Sequence, residues 1–361
     1  MKKIILVVFS FFVFSKMVLA YSAESMIAMD MASGRVLYEQ NAYEEKLIAS
    51  TTKIMTTIVA IEQLNLDTEI TVDERVLKAY GSGIYIEVGE VMTLRDLLYG
   101  LMLRSGNDAA IVIACGVSGS MEGFVTLMNQ KAYELGMSHT TFYNAHGLEE
   151  NDGKGNTSTS YDMALLMRYA MKNENFREIT GTKNYVGKSN KKTYHWTNKN
   201  KLLRTYEYTI GGKTGFTEKA RRTLVTVALK DGKEIAIVTL NDGNDFQDHQ
   251  NLYEVLFAKY EQVTVLKRNE LEIPDLQNYQ NDQLYLEKDI ELLATKNEIS
   301  SLRVSYEMNA VEHYKSGDVV GLAHIFLGDK EIMSTRIYVR KEAEVPKEGF
   351  LQKLFGWLFG W

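Results

Sequence analysis

The 361-residue sequence has little of what holds many exported proteins together: one cysteine, two prolines, no internal repeat and no low-complexity tract. A lone Cys115 excludes an internal disulfide. It lies in the apolar run Ala109 to Cys115, which reads as a helix that buries it as a small hydrophobe. A chain of this length can rely on a hydrophobic core instead, and is long enough for about two domains. Basic excess is also missing. Net charge is −6, so the footprint of a nucleic-acid-binding protein is absent. The six histidines are scattered, and neither H-E-x-x-H nor G-x-S-x-G occurs. That removes the usual zinc hydrolase and the Ser-His-Asp elbow, and no metal or cofactor is expected. No apolar run reaches the ~20 residues of a membrane-spanning helix.

The chain does have punctuated ends. Lys2 and Lys3 precede the largely apolar stretch Ile4 to Phe14, and Val18-Leu19-Ala20 offers a small-residue cleavage point, so residues 1–20 read as a secretory signal peptide. Their removal takes away three lysines and no acids, leaving the mature chain more acidic. At the other end, residues 350–361 hold eight large apolar side chains. Wound as a helix, Phe350, Leu351, Leu354, Phe355, Leu358 and Trp361 share a face. This segment is too short to cross a bilayer. Its composition favours peripheral membrane contact over docking on the protein's own core. The expected location is therefore the outer face of the cytoplasmic membrane.

Between the ends, residues 25–39 read as a hairpin. A helix is expected from Ser50 through Ile54, Ile58 and Ile61, with one apolar stripe. Another runs from Thr93 to Met102 and a third from about Asp108, leaving Ser105-Gly106-Asn107 in the break. Further helices are expected near 120–136 and 161–172, with Glu149 to Ser160 as a surface loop. Residues 223–229 and 234–240 are β-rich runs joined by the turn Lys230 to Lys233, and Lys213-Thr214-Gly215 lies beside that antiparallel sheet. Leu252 to Tyr260 reads as a closing helix. After Gln262 the pattern alternates in the manner of a small all-β domain, in which His313 and His324 are isolated. The expected divisions are 1–20, 21–262, 263–345 and 346–361.

Ser50 and Lys53 are three apart, so a helix brings their side chains together. Serine needs a base to become a nucleophile, and lysine serves only if burial or a neighbouring cation lowers its pKa. Lys213 can supply that charge. Ser105 offers a hydroxyl for proton relay, and Asn107 an amide that can hold both a substrate carbonyl and Lys53. Lys213 and Thr214, beside a strand, can bind the carboxylate of an extended substrate.

These motifs, Ser50-Thr51-Thr52-Lys53, Ser105-Gly106-Asn107 and Lys213-Thr214-Gly215, resemble those of the low-molecular-mass penicillin-binding proteins, the serine-type D-alanyl-D-alanine carboxypeptidases of peptidase family S11. Trp196-Thr197-Asn198-Lys199-Asn200 with Leu202-Leu203, the β-rich C-terminal part and the amphipathic tail resemble the family too. Gly106 stands where class A β-lactamases carry aspartate.

The resemblance implies an α/β (α+β) fold of the penicillin-binding and serine β-lactamase type: an antiparallel sheet with helices, followed by a small all-β domain. It implies that Ser50 is acylated, Lys53 is the base, Ser105 and Asn107 line the cleft, and Lys213, Thr214 and Gly215 hold substrate. The backbone N–H groups of Ser50 and Phe216 form the oxyanion hole; histidine is common at the latter place, but only its backbone is needed. His249 falls where relatives often carry an arginine for the substrate carboxylate. The implied partners are peptidoglycan stem peptides ending in D-Ala-D-Ala, with β-lactams as inhibitors. A D,D-endopeptidase of the same family is the alternative, and a serine β-lactamase a more distant one.

Overall fold

In a computed structural model the described residues are 21–150, 153–273, 279, 282–309 and 313–341. The expected signal peptide and membrane tail lie outside them. The frame of the larger part is a five-stranded antiparallel sheet. Its strands are β1 (Ala23–Asp30), β2 (Val36–Gln40), β3 (Thr209–Thr217), β4 (Arg221–Lys230) and β5 (Lys233–Asp242), in the order β2-β1-β5-β4-β3. The sheet therefore has a chain-terminal hairpin at one edge and the Lys213-Thr214-Gly215 strand at the other.

The sequence of β4 and β5 is apolar almost without alternation because both faces are covered. On one face Val225, Val227, Ala236 and Val238 meet the helical core. On the other, Leu224, Ala228, Ile235 and Ile237 lie under Leu252, Tyr253, Leu256 and Phe257. Those four belong to the closing helix Asp245–Lys259, which begins seven residues before the expected Leu252. Its first turn is polar because it faces Ser22 and the cleft, so hydrophobic periodicity alone does not reach the start.

The helical side contains α1 (Lys53–Gln63), α2 (Leu94–Arg104), α3 (Asn107–Ser118), α4 (Met121–Glu134), α5 (Ser160–Ala170) and α6 (Glu174–Gly181); the closing helix is α7. A 3₁₀ turn, Ala49–Thr52, leads into α1, so Ser50 precedes the regular helix by one turn. The expected single stripe on α1 is incomplete. Every residue from Lys53 to Ala60 is buried, because helices and sheet surround it. Its threonines survive there by bonding carbonyls: Thr56 Oγ1 donates to Ala145 O at 2.7 Å and Thr57 Oγ1 to Lys53 O at 2.7 Å.

Thr93 and Thr159 accept from Asp96 N and Asp162 N, which starts α2 and α5. The segment expected as a surface loop is buried at its end: Asn156, Ser158, Thr159 and Ser160 are all inside. Asn156 Nδ2 reaches Thr52 Oγ1 at 2.9 Å, so these polar residues buttress the serine turn. Cys115 is buried, as its apolar neighbours require.

Beyond Tyr260 lies the β-rich part. Glu261–Leu266 pairs with Ile290–Ala294, and a four-stranded sheet runs in the order 283–285, 330–340, 319–327, 302–308. It is fastened to the first part through Arg35, which ion-pairs with Glu298 and donates to Leu293 O at 2.8 Å. Leu293 N donates in turn to buried Asp30 at 3.1 Å.

Candidate active site

Three elements meet at the open edge of the sheet: the 3₁₀ turn before α1, the break between α2 and α3, and β3. α2 stops because Ser105 takes the left-handed conformation (φ 63°, ψ 38°), and Gly106 caps the start of α3 at Asn107. This sharp turn aims Ser105 and Asn107 back at Ser50. It is braced by Asp108, whose carboxylate accepts from Ile84 N at 3.0 Å and Tyr85 N at 2.6 Å. Asn107 Nδ2 donates to Tyr80 O at 2.7 Å, so residues 80–86 form a wall beside the break.

Lys53 is fully buried. Its Nζ lies 3.1 Å from Ser50 Oγ and 2.8 Å from Asn107 Oδ1, and it also donates to the His146 carbonyl. Burial first, then the Lys213 and Lys199 ammonium groups, hold its pKa well below the ordinary lysine range. A buried cation without a carboxylate costs several kcal/mol, and deprotonation relieves it. Lys213 is buried as well, and burial with Lys199 pushes it down to about 7. Its Nζ reaches Ser105 Oγ at 3.1 Å and Thr214 O at 2.6 Å. Ser50, Lys53, Ser105, Asn107 and Lys213 thus form two linked lysine–serine pairs.

Thr214, Gly215 and Phe216 line the same cleft of about 400 Å³, with Ser50 and Ser105. Gly215 permits the close approach. A Cβ there would stand 2.4 Å from Thr223 Oγ1 and 2.9 Å from Ser50 N, so β3 lies directly against the backbone of the serine turn. The Phe216 side chain projects outward and is 58% exposed.

His249 is not in the cleft. It is fully buried on the sheet-facing side of α7, with Nδ1 2.7 Å from Thr226 Oγ1 and Nε2 3.0 Å from Thr239 Oγ1. Burial pushes its pKa down to about 3, so it is a neutral core residue and cannot bind a carboxylate by charge. The arginine that does line the cleft is Arg222 on β4, paired with Asp245 at 2.6 Å and set over the Phe246 ring. Lys199 and Lys201 stand on the same wall. Sequence reasoning gave none of these five a role. Lys199 belongs to the Trp196–Asn200 run, but its distance in sequence from Lys53 hides the charge coupling. Among the described residues no cluster of side chains fits a metal ion.

A buried lysine against a serine at the edge of an antiparallel sheet defines the penicillin-binding and serine β-lactamase class of folds. Within it, the profile described as D-alanyl-D-alanine carboxypeptidase matches residues 13–244, and that of the penicillin-binding protein 5 C-terminal domain matches 260–345. The chain belongs to the S11 family of serine-type D-alanyl-D-alanine carboxypeptidases, the low-molecular-mass penicillin-binding proteins. The carboxypeptidase DacF of Bacillus subtilis is 30% identical over 349 residues, covering 92% of this chain and 88% of that protein. A Streptomyces strain K15 D-alanyl-D-alanine carboxypeptidase is 38% identical over 231 residues, 58% of this chain and 77% of that one. Penicillin-binding protein 5 of Haemophilus influenzae superposes with a TM-score of 0.75 at 25% identity, over 90% of this chain and 98% of that structure. DacD of Francisella tularensis gives 0.69 at 27%, over 90% and 94%.

Proposed function

We propose that this protein is an exported D,D-carboxypeptidase that removes the terminal D-alanine of peptidoglycan stem peptides through an acyl-enzyme on Ser50. The observation that carries the reading is the Lys53–Ser50 pair: a wholly buried amine, its pKa held well below the ordinary lysine range by burial, at 3.1 Å from a hydroxyl on the cleft surface. An extended peptide adds to the free edge of β3 as a further strand. Lys213 and Thr214 hold its terminal carboxylate. Ser50 Oγ attacks the penultimate D-alanine carbonyl while its proton passes to Lys53 Nζ.

The developing oxyanion is met by the N–H groups of Ser50 and Phe216, which are fixed before reaction. Collapse breaks the peptide bond. The leaving D-alanine amine takes the proton that Lys53 received from Ser50, with the Ser105 hydroxyl as relay, and water then hydrolyses the ester. A β-lactam ring offers the same carbonyl beside a carboxylate, so penicillin acylates the same oxygen.

Residues 1–20 direct export and are removed after Ala20. Residues 350–361 hold the enzyme on the outer face of the cytoplasmic membrane, near its substrate. The test is direct: incubated with a peptide ending in D-Ala-D-Ala, the protein releases free D-alanine, and Ser50→Ala does not. Failure of the intact protein to release D-alanine from any such peptide overturns the reading.

A further inference from the structure

Where β5 runs into α7, two carboxylates that the reaction does not use face each other without a cation. Asp242 is fully buried and Asp248, in the first turn of α7, nearly so. Between them stands Ser22. Its Oγ is 2.5 Å from Asp242 Oδ1 and 2.9 Å from Asp248 Oδ2, yet a hydroxyl carries only one proton to give. Its backbone N–H donates to Asp248 Oδ2 at 2.6 Å. Asn244 N adds a bond to Asp242 Oδ1 at 3.1 Å. Asp242 Oδ2, buried, has no hydrogen-bond partner among the described residues. No lysine, arginine or histidine among them ion-pairs with either acid. The start of α7 favours the negative charge of Asp248 but leaves Asp242 unanswered.

We propose that the Asp242–Asp248 pair is a binding site for this chain's own mature N-terminus: the α-ammonium of Tyr21, freed by removal of residues 1–20, is the cation the two carboxylates lack. The inference rests on cleavage after Ala20. Hydrolysis of the Ala20–Tyr21 bond consumes one water, sends the new carboxylate away with the leader and leaves the ammonium on Tyr21. Backbone geometry puts Tyr21 N within about 4 Å of Ser22 N. It therefore lies no more than about 7 Å from Asp248 Oδ2. In the precursor the same nitrogen is a neutral amide.

The groups around the pair are consistent with a missing positive charge. The Tyr21 and Tyr38 rings pack edge to face at 5.4 Å, and both phenols are pushed up, first by burial, with Asp248 contributing. Burial and Asp248 push Asp242 up to about 6. Among the described residues these four are the titratable groups that act on one another across the site. The consequence reaches the cleft, because Asp248 lies three residues beyond Asp245, the partner of Arg222. Processing thus fastens the helix start that carries one cleft wall.

The test compares the protein beginning at Tyr21 with the same protein carrying a ten-residue Gly/Ser leader, each with and without Asp248→Asn. The leader is expected to lower Tm by about 2–4 °C in the wild-type background and by under about 1 °C with Asp248→Asn. The Tyr21 α-amine, titrated by pH-dependent labelling, is expected above its ordinary value of about 7.7–8.0 and to return to it in the variant. If Asp248→Asn does not fold, Asp242→Asn takes its place. No effect of the leader in the wild type, or an equal effect in the variant, overturns the proposal. N-terminal sequencing of the exported protein separates the two readings: a start other than Tyr21 overturns the processing step, whatever the engineered pair shows.

Discussion

Lys213 donates to Ser105 across 3.1 Å, so the cation of the third motif is held by the hydroxyl of the second, 108 residues earlier. The spacing repeats that of Lys53 to Ser50, also 3.1 Å. The two lysines share a buried site, and after burial itself the Lys213 charge is the largest influence that lowers the Lys53 pKa.

Lys53→Arg should fold but acylate with penicillin at least about 100-fold more slowly, since arginine stays protonated and cannot serve as base. Stopped-flow acylation with a fluorescent penicillin measures this. Near-normal acylation assigns the base elsewhere.

The pH profile follows from the two lysines. Lys53 must be neutral to accept a proton, so kcat/KM rises with pH through its depressed pKa. Lys213 must be protonated to hold a carboxylate, and in the free enzyme it loses its charge above about 7. The falling limb for a peptide with a free C-terminus should therefore lie near 7. The same peptide with an amidated end should show less of that limb. Identical profiles would mean that Lys213 does not meet the carboxylate.

Gly215→Ala should leave the fold largely intact but slow acylation by at least about 10-fold. The added Cβ falls 2.9 Å from Ser50 N and must push the serine turn away from β3. Acylation rate alongside circular dichroism separates the two effects. An unchanged rate would show that β3 does not set the position of Ser50.

Arg222→Ala leaves Asp245, only 4% exposed, without its ion-pair partner. A loss of about 1–3 kcal/mol is expected, read by urea denaturation. Unchanged stability would mean that solvent already satisfies Asp245.

Cutting the chain after Pro346 removes the eight large apolar side chains of residues 350–361 and none of the motifs. The shortened protein should lose affinity for lipid vesicles in a flotation assay while keeping turnover on a soluble peptide. If the intact protein does not float with vesicles, the membrane reading is wrong.

The sheet, the main helices and the break at Ser105 were legible because each depends on local pattern. Ser50 and Lys53 were legible as a pair for the same reason. Contacts that close the site from far away were not: the His146 carbonyl on Lys53, the Lys199 charge and the Arg222 wall have no short-range signal. The hairpin 184–197 and α6 passed unread because their apolar residues are few and alternate with charge. His249 misled by type. A histidine suggests chemistry, but one turn of α7 points it at two threonines inside the sheet packing.

The free edge of β3 has a cost outside catalysis. Unpaired backbone groups that welcome a substrate strand also welcome another copy of the same strand, the usual start of edge-to-edge aggregation. Here the mouth carries Lys199, Lys201 and Arg222 against a single acid, Asp245. Two such mouths repel at low salt, and that repulsion is screened within about 10 Å at 0.1 M ionic strength. The cations that surround the cleft therefore also oppose edge-to-edge pairing of two copies at that edge, and neutralising them for the sake of crystallisation or storage invites the strands to pair.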